Sequence, residues 1–138
     1  VWARLFHIHG RGESEGRLLP AIASSLREAR TFNLTSGSQM RDHLDVEDVG
    51  AGLACLVTSP AVGTFNVCSG TPVSLREVAT TLAEVVGRPG LLQFGAVPIG
   101  ETTPTFLVGD PSRLLGVGWL PSNSSLRASL EAAYRNSS

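Results

Sequence analysis

Lysine is absent from this sequence, and all of its basic side chains are arginines. A catalytic lysine is therefore excluded from these 138 residues. An excess of one charge is also lacking, because 11 basic and 12 acidic residues leave a formal net charge of −1. Since there is no basic stripe to neutralise phosphates, we expect no nucleic-acid partner.

Long apolar runs and cysteine-rich motifs are missing as well. A hydrophobic content of 42% and a mean hydropathy of +0.13 are typical of a globular chain with one modest core. No run approaches the length of a membrane span, so we expect no membrane partner. Cys55 and Cys68 have neither the number nor the spacing of a disulfide or metal framework, and predict buried thiols in a cytoplasmic protein. Because the sequence starts at Val1 without a signal peptide, we expect a piece of a longer protein.

Histidine offers one pattern that resembles a metal site. His7 and His9 lie two apart in an apolar segment of strand length, and a strand would place them on one face. A convincing third ligand is missing, since Glu13 and Glu15 follow beyond a glycine turn. We therefore predict no metal site.

Hydrophobic periodicity predicts an α/β protein in which short strands alternate with helices. The strands are predicted within residues 1–9, 31–34, 39–46, 63–70 and 91–98, and the longer helices within 15–30, 47–59, 74–86 and 126–135. Ser74 and Glu77 form a capping box at a helix start, and Gly87 is a natural terminator. Asp110 is predicted as an N-cap, with Pro111 at the first helical position.

Residues 39–49 predict a strand that delivers one arginine, Arg41, and runs directly into a helix with acidic residues at its start. The planar fork of donors on arginine matches phosphate and carboxylate groups in two-point contact. The alternative is structural, with Arg41 pairing with Asp42, Asp45 or a helix end. The residues alone leave both interpretations open.

Residues 41–49 (Arg-Asp-His-Leu-Asp-Val-Glu-Asp-Val) resemble a segment of the extended short-chain dehydrogenase/reductases. These NAD-dependent epimerase/dehydratase enzymes epimerise, dehydrate or reduce nucleotide-diphosphate sugars. Residues 4–13, 63–70 and 110–121 resemble further segments of the family. The resemblance covers nearly the whole chain, but only the carboxyl-terminal, substrate-binding part of such an enzyme.

The resemblance implies a set of site residues. By it, Arg41 binds the substrate diphosphate, and a nucleotide-diphosphate sugar is the partner. Further substrate contacts are implied for Arg17, Leu18, Phe32, Leu34, Asn66 and His7. Leu5 and Phe6 would flank the cofactor, NAD or NADP, which the missing amino-terminal part would mainly bind. Relatives also carry a second diphosphate-binding arginine in the region of residues 98–104, where this sequence has none. Either Arg113 or Arg11 compensates, or the ligand carries less charge.

The resemblance implies a fold as well: the substrate-binding part of a Rossmann-type enzyme whose amino-terminal sheet is missing. Residues 1–138 would form one partial domain, in which residues 1–12 hold the last Rossmann strands and residues 13–138 the substrate-binding region. The family needs a glycine-rich turn and a Tyr-x-x-x-Lys helix for hydride chemistry, and neither is present. Tyr134 has no basic partner at a productive spacing, so we predict no catalytic residue here and no activity for this segment alone.

Two rival interpretations remain open at this point. The chain could be a non-catalytic nucleotide-binding or regulatory module of the same architecture, or an inactive remnant. Relatives commonly form homodimers through the missing half, and the sequence leaves the oligomeric state of the full-length protein open.

Overall fold

Strands and helices alternate along the chain, as the hydrophobic periodicity predicts. The structure is a computed structural model that describes residues 1–122 and 125–135. Its strands are β1 (Trp2–Leu5), β2 (His7–His9), β3 (Phe32–Leu34), β4 (Met40–Asp45), β5 (Thr64–Val67), β6 (Pro72–Ser74), β7 (Leu92–Phe94) and β8 (Phe106–Leu107). Its helices are α1 (Leu18–Arg27), α2 (Val46–Thr58), α3 (Leu75–Val86), α4 (Ser112–Gly116) and α5 (Leu126–Tyr134). A short 3-10 turn covers Pro89–Leu91.

Strand β4 pairs with each of the other three strands of the four-stranded sheet. It pairs in parallel with β2, which places His7 opposite His43, and in parallel with β8. Strand β6 pairs with it in the antiparallel sense, with Arg41 opposite Val73. Two smaller sheets are parallel pairs, β1 with β5 and β3 with β7. The sheets therefore join the first ten residues to the middle of the chain.

The buried apolar side chains form two clusters. One lies among α1, α3 and α5 and includes Ile22, Leu26, Leu82 and Leu130, all without exposed area. The other lies around α2 and β5. Its buried members are Leu44, Val49, Leu56, Phe65, Val67, Leu114 and Trp119. Burial of this kind is the main stabilising contribution to the fold.

The helix ends follow the predicted capping chemistry. The hydroxyl of Ser74 accepts from the backbone N–H of Glu77 at 3.1 Å, and Gly87 ends α3 with a left-handed φ of +78°. Asp45 caps α2, because its carboxylate accepts from the N–H of Glu47 at 2.8 Å. None of the helices in the described residues is long and apolar enough to cross a membrane.

Two predicted boundaries differ from the structure. The segment 1–9 is two strands in different sheets, because the chain breaks at Phe6, whose ring packs against Gly109. A Cβ at residue 109 would lie 2.7 Å from that ring, so only glycine fits there. Helix α4 begins at Ser112, one residue later than the predicted Pro111; the Asp110 carboxylate still accepts from the Ser112 N–H at 2.9 Å.

A buried carboxylate holds the centre of the fold together. Asp42 has no exposed area, and its Oδ1 accepts from the N–H and hydroxyl of Ser69 at 2.7 and 2.8 Å. Its Oδ2 accepts from the N–H groups of Gly70, at 2.9 Å, and Gly109, at 3.2 Å. These charge-assisted bonds tie β4 to the turn after β5 and to the loop before α4.

Replacing Asp42 should therefore strongly destabilise the fold. We expect Asp42→Ala to lower the free energy of unfolding by about 3–5 kcal/mol, because it leaves several buried donors without an acceptor. Asp42→Asn keeps one carbonyl oxygen and should cost less. Urea denaturation monitored by circular dichroism measures both. The exposed Glu101→Gln is the control and should change stability by less than about 0.5 kcal/mol. An equally small effect of Asp42→Ala would contradict the assignment.

Candidate functional site

A cavity of about 140 Å³ lies beside β2 and β4, at the start of α1. Its polar wall consists of His7, Glu13, Arg17, Gln39, Arg41 and His43. Its apolar wall consists of Ile8, Leu18, Leu19 and Leu75. Polar groups that converge beside apolar side chains are typical of a small-molecule site.

Strand alternation explains why one stretch supplies half of that polar wall. Successive side chains on a strand point to opposite faces, so Gln39, Arg41 and His43 share a face. Asp42 and Leu44 share the other face and are buried. The cavity and the buried carboxylate are therefore two sides of the same strand.

The Arg41 guanidinium is held by backbone carbonyls. Nη1 donates to the carbonyl of Met40 at 2.8 Å, and Nη2 donates to that of Pro104 at 2.7 Å. Its hydrogen bonds do not go to Asp42 or Asp45, the pairing that the structural interpretation expects, because those carboxylates are bound elsewhere. Its remaining N–H groups have no acceptor among the residues described, and they are available to an anion.

Arg17 lines the cavity and forms a salt bridge with the Glu13 carboxylate. Its Nε lies 3.1 Å from Oε1 of Glu13, and the other oxygen of Glu13 accepts from the Tyr134 hydroxyl at 3.0 Å. Burial raises the pKa of Tyr134, and the charge of Glu13 raises it further. Tyr134 thus carries a firmly held proton and positions Glu13, which is a structural role.

The three histidines of the chain form one cluster across β2 and β4, with their rings tilted or edge-on to one another. The ring centroids of His7 and His43 lie 5.6 Å apart, and those of His9 and His43 lie 6.0 Å apart. Burial, together with the neighbouring rings of His9 and His7, lowers the pKa of His43 to about 4. Burial also lowers the pKa of His7, with Arg41 and Arg17 adding to the effect. All three rings are therefore neutral near pH 7.

His9 lies at one end of the histidine cluster and takes part in a chain of hydrogen bonds. Its Nε2 lies 2.8 Å from the hydroxyl oxygen of Ser129, and that hydroxyl donates to the Asp45 carboxylate. Because Ser129 donates its proton to a carboxylate and not to an imidazole, the three groups are not a nucleophilic triad. Within the described ranges, no group of three or more His, Cys, Asp or Glu side chains is placed to hold a metal ion.

The structure brings together four of the predicted site residues and separates the others. Arg41, Arg17, Leu18 and His7 line the cavity. Phe32 is half-buried and lines a different, open cleft that also includes Arg11 and Tyr134. Leu34 is buried in the cluster among α1, α3 and α5, because its side chain faces the helices. Its side chain therefore packs in the core.

The remaining predicted residues meet at the carboxyl ends of β1 and β5. Leu5 is 48% exposed and lies opposite Val67. Phe6 follows Leu5 directly, and Asn66 donates from Nδ2 to the Asp110 carbonyl at 3.2 Å. The carboxyl ends of parallel strands are where α/β proteins bind ligands. This second region is distinct from the cavity of Arg41.

Neither arginine suggested as a compensating charge lies at the cavity. The Arg113 guanidinium donates to the carbonyls of Thr64, at 2.6 Å, and Val62, at 3.3 Å, and covers the Phe65 ring at 4.6 Å. Arg11 donates from Nε to the Ala132 carbonyl at 3.1 Å. Both arginines have structural contacts at these positions, and a compensating role for either of them stays a prediction.

Sequence reasoning missed two polar groups that share the face of Arg41. His43 and Gln39 lie two residues to either side of it, so alternation along the strand was the signal that could have found them. Glu13 was considered only as a metal ligand, and its position depends on contacts with Arg17 and Tyr134.

Comparisons with known proteins indicate the family of this chain. A model of the NAD dependent epimerase/dehydratase family matches residues 1–68. GDP-L-fucose synthase of Escherichia coli is 32% identical over 88% of this chain, and CDP-abequose synthase of Salmonella typhimurium is 27% identical over 86% of it. An epimerase structure from Methanothermobacter thermautotrophicus superposes with a TM-score of 0.86 at 26% identity, covering 96% of this chain and 41% of that one. The chain spans 42% of the length of each of the two synthases.

The buried imidazoles predict a loss of stability in mild acid. Because the pKa of His43 in the folded protein, about 4, is below its ordinary value of 6.5, the unfolded chain binds the proton first as the pH falls. The stability that neutral His43 contributes is complete above about pH 6.5 and declines towards pH 4, by at most about 1.4 kcal/mol per pH unit.

Urea denaturation of the wild type and of His43→Gln at several pH values measures this decline. We expect a shallower decline in His43→Gln, with the remainder due to His7, His9 and the carboxylates. Parallel curves for the two proteins would show that His43 does not titrate in this way.

Proposed function

The chain belongs to the NAD-dependent epimerase/dehydratase family, within the extended short-chain dehydrogenase/reductases, and from that premise we propose that it grips the diphosphate of a nucleotide sugar. The whole protein would be an NAD(P)-dependent epimerase, dehydratase or reductase, of which this chain is the substrate-binding part. The proposal rests on the Arg41 guanidinium, which two backbone carbonyls hold at the wall of the cavity. Its other N–H groups have no acceptor among the residues described.

The cavity walls fit this ligand class. Two backbone carbonyls, which do not titrate, accept hydrogen bonds from Arg41. Its guanidinium group is therefore held in place before a ligand arrives. Such preorganisation reduces the entropy lost on binding. Leu18 and Leu75 provide apolar surface beside the charged group, which suits a ligand that joins a phosphate to a sugar or a base.

The cofactor would meet this chain at the carboxyl ends of β1 and β5. Leu5 and Phe6 offer apolar surface there, and Asn66 is fixed nearby by the Asp110 carbonyl. A bound nicotinamide supplies the hydride acceptor or donor for chemistry at a sugar carbon. The glycine-rich turn for its pyrophosphate is absent from this sequence, so NAD or NADP would be held mainly by another segment.

The unpaired edge of β1 supports the proposal that this strand belongs to a larger sheet. Among the described residues, β1 pairs only with β5, and Trp2 and Leu5 are 71% and 48% exposed. An open strand edge with exposed apolar side chains is a surface that proteins normally cover. We propose that further Rossmann strands of the same polypeptide cover it, which would place residues 1–12 in the Rossmann part and residues 13–138 in the substrate-binding region.

The remaining expectations follow from the same assignment. Cys55 and Cys68 are free thiols; Cys68 is buried and Cys55 is half-buried. Burial raises the pKa of Cys68 to about 12, so this thiol is not poised for redox chemistry. This is consistent with a cytoplasmic location, which we propose. A homodimer of the full-length protein stays a prediction.

A non-catalytic nucleotide-binding module is the second candidate function. It is favoured by one specific observation: the loop at residues 98–104 has no arginine, and its Pro104 carbonyl instead accepts from Arg41. Titration of the full-length protein with UDP, dTDP, CDP and GDP tests binding, and a nicotinamide absorbance assay with the matching nucleotide sugar tests turnover. Binding without turnover would favour the module, and no saturable binding would contradict both functions.

Substitution of Arg41 tests the diphosphate contact directly. In the full-length protein we expect Arg41→Ala to weaken nucleotide-sugar binding by about 1.5–3 kcal/mol, the scale of a hydrogen bond to a charged group. Isothermal titration calorimetry measures the change. Arg127→Ala is the matched control, because Arg127 is an exposed arginine paired with Glu84 away from the cavity. An unchanged affinity in Arg41→Ala would rule out the contact.

A further inference from the structure

The charges around the cavity do not balance a diphosphate. Arg17 and Arg41 carry the positive charges of its wall, and Glu13, bound to Arg17, carries a negative one. One net positive charge therefore faces the space. The diphosphate of a nucleotide sugar has one negative charge on each phosphoryl group, so the cavity is short of one positive charge. Anions removed from water bind poorly unless their charge is matched.

Two neutral groups in the same wall can supply the missing charge. His7 and His43 both line the cavity and stand side by side, with ring centroids 5.6 Å apart. Nδ1 of His7 and Nε2 of His43 are buried and have no hydrogen-bond partner among the described residues. A buried polar atom without a partner costs free energy unless a ligand or water satisfies it. Either ring, once protonated, would place a positive charge at the cavity wall and attract a phosphoryl group there.

Building on the proposed function, we propose that His7 and His43 supply the second positive charge of the diphosphate site by taking up one proton between them when the ligand binds. The proton comes from solvent and forms an N–H bond on one imidazole, and no other covalent bond changes. The histidine pair would do the work for which relatives use a second arginine. Binding to this cavity is then coupled to pH, whereas a site built from two arginines is not.

The surrounding charges explain why the proton arrives only with the ligand. Without a ligand, Arg41 opposes protonation of both rings, Arg17 opposes it at His7 and the neighbouring rings oppose it at His43, while Asp42 favours it at both. Burial keeps both pKa values below the ordinary 6.5. A bound diphosphate offsets the two arginines and attracts a proton, which raises the pKa of the pair.

A single proton for the pair follows from the short separation. Two imidazolium rings at this distance would repel each other, so the second proton is disfavoured and the rings titrate as a coupled unit. His9 does not line the cavity, and its Nε2 is bound to Ser129. Its ring still opposes protonation of His43, while Asp45 favours protonation of His9. His9 therefore influences the pair without contacting the ligand.

Calorimetry of the full-length protein measures the proton directly. The probes are UDP-glucose, dTDP-glucose, CDP-glucose and GDP-mannose, whose phosphoryl groups are esterified and do not titrate near neutral pH. Titrations at about pH 6 in buffers of different ionisation enthalpy give the number of protons taken up per ligand bound. We expect on the order of half a proton, and about three- to tenfold tighter binding at pH 5.5 than at pH 7.5.

Three histidine variants serve as test and control. His7→Asn and His43→Gln keep a hydrogen-bonding amide but cannot be charged, so each should reduce proton uptake, and together they should abolish it and flatten the pH profile. His9→Gln removes the third histidine, outside the cavity, and should retain the proton uptake. Because the His9 ring opposes protonation of His43, the uptake should extend to higher pH in this variant. Thermal unfolding of each variant verifies its fold. The wild-type titration decides the proposal even where a variant does not fold.

The outcomes separate this inference from the proposed function. Saturable binding with no proton uptake and no pH dependence overturns the histidine pair and leaves the nucleotide-sugar function intact. Uptake that persists in the double variant also overturns it. No saturable binding of any probe at any pH overturns both.

Discussion

The buried carboxylate of Asp42 is the interaction on which the rest of the structure depends. It lies in the middle of β4, without exposed area, and accepts hydrogen bonds from Ser69, Gly70 and Gly109. A charge in such a position is tolerable only when its oxygens are fully paired. The turn after β5 and the loop before α4 are therefore fixed relative to β4. The close approach at Gly109, where a Cβ would meet Phe6 and Cys68, follows from the same constraint.

That constraint also positions the candidate site. Since Asp42 must face the two loops, strand alternation places Arg41 and His43 on the opposite face, beside β2 and the start of α1. The parallel pairing of β2 with β4 then sets His7 next to His43. The diphosphate grip that we propose is thus built on a rigid strand, which is the arrangement that holds a binding group accurately. Loops supply only the outer parts of the wall, including Glu13 and Arg17.

Local features were predictable because their causes are local. The capping of α3 by Ser74, its end at Gly87 and the start of α2 after Asp45 each depend on residues within one helical turn. Arg41 was also identifiable, since a motif of nine consecutive residues carries the family resemblance. The break at Phe6 was not, because it depends on the packing of that ring against Gly109, more than a hundred residues away in the sequence.

By itself the sequence determined the α/β class, the four longer helices, the strands other than β6 and β8, and the family. Those properties depend on periodicity, capping and short motifs that lie within consecutive residues. Tertiary structure alone decided that Asp42 is a structural carboxylate, that Arg113 binds the backbone of β5 and that three histidines form one cluster. Each of these depends on the register between strands or loops that are distant in sequence. A shift of one residue in that register would turn every side chain of β4 to the opposite face.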